Sequence, residues 1–129
     1  VTVRQLRVVV EAADYDTAVA FYRDALGMPV EEVYETDDGR VTILGAGRAT
    51  LELSDPAQVA YIDRVEVGRR VAGHIRIALE VDDAEGSTLR ATDAGAELLA
   101  EPTRTPWDSL NARLEGPAGL QLTLFEELA

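Results

Sequence analysis

The chain repeats itself. Leu6-Arg7-Val8 reads onto Ile75-Arg76-Ile77, Glu11 onto Glu80, Asp14 onto Asp83, and Leu51-Glu52-Leu53 onto Leu122-Thr123-Leu124. Two copies of one module within 129 residues read as one domain's worth of chain, or as two small half-domains sharing a core. In the first copy, residues 6–12 alternate as a strand. Leu6, Val8 and Val10 take one face, and Arg7, Val9 and Glu11 the other. Asp14 is placed to cap a helix with Ala18, Phe21, Tyr22, Ala25 and Leu26 at helical spacing, and Gly27 is placed to end it. Strands follow over 29–35, 40–44 and 49–54. Asp38-Gly39 signals a hairpin between the first two, and Gly45-Ala46-Gly47 breaks the next pair.

The second copy keeps the order. A strand covers 73–81, and Asp83 caps a helix that Gly95 ends. Strands follow over 97–102, 109–115 and 119–125. That helix is weak, because Gly86, Thr88 and Thr92 lower its propensity. The expected fold is α+β: two tandem β-α-β-β-β modules forming a curled mixed sheet with a cleft, helices on the outer face. Residues 1–54 form the first module and 73–129 the second, within one structural domain. Residues 55–72 read as a polar linker with a short helix near 59–65. The inner face then gathers Arg7, Glu11, Glu52, Arg76, Glu80 and Thr123.

Composition narrows the chemistry. There is no Cys and one His, so disulfides, thiolate nucleophiles and imidazole-rich metal cages are excluded. All twelve basic residues are Arg, which codon usage explains most simply; without Lys, Schiff-base chemistry is excluded too. The net charge of −12 repels phosphate backbones and anionic lipid. No nucleic-acid or membrane partner is expected. No apolar run approaches a membrane span and no signal-like start is visible, so a soluble, cytoplasmic domain is expected.

Asp14, the Phe21-Tyr22 pair, Leu26-Gly27, the segment from Gly73 through His74 to Asp83, Pro106-Trp107 and Gly116-Pro117-Ala118-Gly119 together resemble the vicinal oxygen chelate superfamily. That group includes glyoxalases, extradiol dioxygenases and bleomycin-resistance proteins. The resemblance covers nearly the whole length and implies two β-α-β-β-β modules, a homodimer and a cleft in each cup. It also implies a divalent metal held by one residue from each of four strands: His or Gln, then Glu, His and Glu. Carried over, the first position falls on Arg7, the second on Glu52 and the fourth on Thr123. The third is open. The Gly-His wording puts it on His74, whereas the repeat and the count back from Asp83 put it on Arg76. A guanidinium about 4 Å from a unit positive charge repels it by about 4 kcal/mol at an effective dielectric near 20. A catalytic zinc wants three protein ligands. The expectation is therefore a chain with no metal and no cofactor.

A metal-free cleft is a lined pocket. Arg7 is expected to pair with Glu52, and Arg76 with Glu80 or Glu11, either as structural ion pairs or as groups that meet a polar ligand. Phe21 and Tyr22 are expected in the core. Trp107, Tyr34 and Phe125 are candidates to line the cleft, with Asn111 and Arg113 adding polar contacts. Tyr61 is expected near a subunit contact, and Glu31, Glu32, Asp37 and Asp38 along a solvated edge. His74 is a candidate contact or general base, although a lone His after Gly at a strand start is commonly structural. Such a pocket suits an aromatic or polycyclic small molecule. The expected function is metal-free binding, with antibiotic sequestration in the bleomycin-resistance manner. The alternative is a glyoxalase-like lyase, isomerase or dioxygenase, with a degenerate metal site or one shared across a dimer by Glu52 and His74.

Overall fold

The computed structural model describes residues 2–25 and 27–129; Leu26, read above as part of the first helix and of the Leu26-Gly27 motif, lies outside them. Eight strands form one sheet: β1 (Gln5–Glu11), β2 (Val30–Thr36), β3 (Gly39–Ala46), β4 (Ala49–Ser54), β5 (Ile75–Glu80), β6 (Glu97–Arg104), β7 (Ser109–Glu115) and β8 (Gln121–Glu127). Their order is β2-β3-β4-β1-β5-β8-β7-β6. β1 runs parallel to β4, and β5 parallel to β8. The modules meet where β1 and β5 pair antiparallel, with Arg7 opposite Ala78 and Val9 opposite Arg76. The sheet is mixed and the fold α+β, as the repeat requires.

Alternation along the strands separates two faces. One face carries the apolar core. In the first module Leu44 and Leu53 pack with Tyr15 and Val19 of α1 (Tyr15–Ala20). In the second, Leu114, Leu124 and Ala112 pack with Ala84 of α3 (Ala84–Asp93). The other face carries the polar set, relieved by a small apolar cluster of Val9, Ala78 and Phe125.

Helix ends differ in how they are closed. The Asp83 carboxylate accepts the Gly86 N–H at 3.1 Å, as its spacing predicts. Asp14 makes no side-chain cap bond; its backbone carbonyl accepts from the Ala18 N–H at 3.0 Å. After α1 the chain widens into a π-helical turn over Phe21–Ala25. Phe21 was expected in the core and is 52% exposed. Neighbouring residues of a helical turn point in different directions, and here only one of the pair faces the core. Tyr22 packs there, and Phe21 meets it edge-on from outside, with ring centroids 5.1 Å apart.

The connecting segment is more than a spacer. It forms α2 (Pro56–Glu66), eleven residues long and lying on the polar face, opposite α1 and α3. Asp55 accepts the Gln58 N–H at 2.8 Å, and Pro56 occupies the first turn, where its missing N–H costs nothing. The hairpin turn falls on Asp37-Asp38, because Thr36 already pairs with Gly39. Gly39 serves a different purpose from the one its turn motif implies. A Cβ there would sit 2.4 Å from the Gln58 backbone nitrogen, so the glycine makes room for the start of α2. No helix among the described residues is long and apolar enough to cross a membrane.

Candidate functional site

α2 and the polar face of the sheet enclose a cavity of about 390 Å³. Its floor comes from the central strands: Arg7 and Val9 of β1, Glu52 of β4, Arg76 and Ala78 of β5, and Thr123 and Phe125 of β8. Asn111 of β7 borders one side and Tyr34 of the edge strand β2 the other. Trp107, in the turn between β6 and β7, stands at the rim and is 44% exposed. Alternation brings the strand residues among these together, since they project from one face of a single curled sheet, and the β6–β7 turn adds Trp107.

His74 is not among them. It sits in an exposed bend before β5 and borders only a separate void of about 10 Å³, shared with Asp63 and Arg113. The β1–β5 ladder runs unbroken from Val10–Ile75 to Gln5–Glu80. No bulge shifts the register, so Arg76 stands at the position equivalent to Arg7.

Arg7 Nη1 donates to Glu52 Oε1 at 3.1 Å, as expected, and its guanidinium carbon lies 5.0 Å from the Phe125 ring centre. A second carboxylate, Glu127, lies 3.8 Å from Arg7 Nη2. Arg76 pairs with neither Glu80 nor Glu11. It reaches across the parallel β5–β8 pair and donates to Thr123 Oγ1 at 2.5 Å. Glu11 is held instead by Arg70 at 3.1 Å. Burial pulls the Arg76 guanidinium below its ordinary pKa range; the field of Glu66 opposes this and Arg113 reinforces it. Arginine remains charged under such conditions.

The four positions where the resemblance implies a metal thus hold two guanidiniums, a carboxylate already engaged by one of them, and a hydroxyl that accepts from the other. This donor set does not fit a divalent ion. Among the described residues no three His, Asp or Glu side chains gather elsewhere to hold one.

Arg113, expected as a cleft contact, is fully buried and does other work. It donates to Asp63 at 2.7 Å, to Glu66 at 2.8 Å and to Gln121 at 2.9 Å. Two acids of α2 are thereby fixed to the floor of the second module. Burial pushes the Asp63 carboxyl up, but donors from Ala72, Arg113, Val71 and Arg70 outweigh it and hold the group below its ordinary range. Glu66 also accepts from Asn111 Nδ2 at 2.7 Å, so Asn111 both borders the cavity and helps to fasten α2.

Sequence reasoning missed what α2 supplies. Gln58, Val59, Tyr61, Ile62 and Glu66 all line the cavity. Tyr61, expected near a subunit contact, lies with its ring 6.3 Å from that of Trp107. The readable signal was Asp55-Pro56 followed by Val59, Ile62 and Glu66 at helical spacing. Glu32 and Asp38, read as a solvated edge, are exposed and also border the cavity mouth.

A family model described as Glyoxalase/Bleomycin resistance protein/Dioxygenase superfamily matches residues 4–124. Among solved structures, methylmalonyl-CoA epimerase of Streptomyces coelicolor, in complex with 2-nitronate-propionyl-CoA, is 21% identical. The match covers 99% of this chain and 100% of that one, with a TM-score of 0.71. Methylmalonyl-CoA epimerase from Mycobacterium tuberculosis is 20% identical over 98% and 88% of the two chains, with a TM-score of 0.66. A glyoxalase/bleomycin resistance protein/dioxygenase superfamily member from Vibrio splendidus 12B01 is 16% identical over 98% and 100%, with a TM-score of 0.67. These identities speak for a shared fold only. No curated protein matches the chain.

Proposed function

The chain belongs to the Glyoxalase/Bleomycin resistance protein/Dioxygenase superfamily, and we propose that within it this chain is a metal-independent binding protein for small organic molecules. The observation that carries the reading is the pair Arg7 and Arg76, with Glu52 and Thr123 committed to them. A site built this way offers hydrogen bonds and charge to an organic guest and repels a divalent cation. The cavity is of the size that small ligands fill, and Phe125, Tyr34, Tyr61 and Trp107 give it flat apolar surface. Sequestration of an antibiotic, in the manner of bleomycin-resistance proteins, is the role that asks for binding without chemistry. The chain acts in this reading as a cytoplasmic homodimer.

Trp107 is the sole tryptophan and stands at the cavity rim, so its fluorescence reports occupancy. Titration with enediyne, anthraquinone, glycopeptide and mitomycin-type compounds is expected to give saturable quenching by at least one class, from protein that elemental analysis finds free of stoichiometric metal. No quenching by any class, together with no protection of a sensitive host, would defeat the reading.

A second reading is the glyoxalase-like lyase, isomerase or dioxygenase with a degenerate or dimer-shared metal site, for which the methylmalonyl-CoA epimerases that share the fold suggest acyl thioesters as substrates to try. It replaces the first if purified protein carries one tightly bound metal per chain and turns over methylmalonyl-CoA or methylglyoxal–thiol adducts.

A further inference from the structure

The charges deep in the cavity are matched, with one exception. Glu52 is held by Arg7, and Glu66 by Arg113 and Asn111. Arg76 has no carboxylate within ion-pair distance among the described residues, and of its five N–H donors one is given to Thr123. Arg76 is only partly buried and borders the cavity, so its remaining N–H donors face the cavity space. Buried cations persist when something compensates them. The Thr123 hydroxyl accepts from Arg76 and keeps its own proton free to donate. A planar guanidinium fork beside a free hydroxyl proton is a receptor for one anionic oxygen group. Next to it lie Val9, Ala78 and Phe125, an apolar floor fit for a flat ring. The mouth has the opposite character. Glu32, Asp38 and Glu127 border it, and the whole chain carries −12. Arg7 does not reverse this, since Glu52 and Glu127 flank it.

We propose that Arg76, with Thr123, anchors the single anionic oxygen group of an aromatic acid, and that the acidic mouth excludes polyanions such as coenzyme A thioesters. The inference rests on the binding reading and names the ligand class for the same cavity. The fork recognises the acid, the floor takes the ring, and each further negative charge left at the mouth meets Glu32, Asp38 or Glu127.

The test is calorimetric titration with 2-naphthoate, its neutral isostere 2-naphthamide, and 2-naphthoyl-CoA. The acid is expected to bind about tenfold or more tightly than the amide, as a charge-assisted hydrogen bond gives, and the thioester no more tightly than the amide. Arg76→Met is expected to abolish the preference for acid over amide while leaving the affinity for the amide. Arg76→Lys, which keeps the charge and loses the fork, is expected to retain part of it. Equal binding of acid and amide by the unmodified protein overturns the inference while the binding reading stands. The thioester binding tightest overturns it as well, and together with metal-dependent turnover of methylmalonyl-CoA overturns both. Because the decisive comparison uses the unmodified chain, a variant that fails to fold does not protect the inference.

Discussion

Arg113 shows how much one side chain can hold. It is fully buried, and both of its carboxylate partners belong to α2. Arg113→Met leaves the buried Glu66 without a counter-charge and Asp63 with Arg70 alone, and is expected to cost about 3–5 kcal/mol in urea denaturation. Asp63 adds a pH dependence of defined sign. Its pKa is lowered in the folded state, so the unfolded chain binds more protons at moderately acid pH. The stabilisation it gives is complete above its unfolded value of 3.8 and is lost as the pH falls through the lower folded value. Asp63→Asn is expected to be less stable than the parent at neutral pH and to show a shallower loss of stability below about pH 4 in acid denaturation. Arg7 differs from both. It is partly solvated and paired at the cavity wall, so Arg7→Ala is expected to change ligand affinity more than folding, as paired quenching and denaturation curves would read.

Among the elements, α2 decides the most, because it converts an open polar face into a cavity. Gly39→Ala tests that directly: the added methyl meets the Gln58 backbone nitrogen at 2.4 Å and its Cα at 2.5 Å. Backbone cannot yield as a flexible side chain does, so the change is expected to cost about 1–3 kcal/mol. It is also expected to shift Trp107 emission as α2 moves, through the neighbouring Tyr61. The helix caps give a contrast within one chain. Asp83→Ala removes one side-chain bond to a backbone N–H and is expected to cost about 1 kcal/mol, and Asp55→Ala, which removes two, from Gln58 and from Arg40, is expected to cost more. Asp14→Ala removes no such bond and is expected to be nearly neutral in thermal melts.

Across the whole molecule, the β1–β5 seam joins two half-cores into one cooperative unit. Leu53→Ala in the first module and Leu114→Ala in the second, both buried, are expected to cost about 2–5 kcal/mol each. Each is expected to move the far-ultraviolet dichroism and Trp107 fluorescence transitions together. Separate transitions would mean that the modules unfold independently. The charge acts at this scale too: a chain of −12 slows the approach of anions, so 2-naphthoate is expected to associate faster as salt is added.

The module order, the strand faces and the polar residues on the cavity floor were legible in the sequence. Period-two alternation and the internal repeat are local facts, and they put Arg7, Glu52, Arg76 and Thr123 on one face whatever the remaining contacts are. The Arg7–Glu52 pair followed from the same logic, because adjacent strands bring same-face residues within reach. What needed the tertiary structure was everything carried by groups far apart in the chain. Arg113 looked like a cleft residue until the acids of α2 closed on it, and Arg76 had acidic neighbours in sequence yet turned to Thr123. Gly39 looked like a turn glycine until the start of α2 was laid against it. The physical reason is common to all three: periodicity sets which way a side chain points, whereas its partner is chosen by what the rest of the chain packs there.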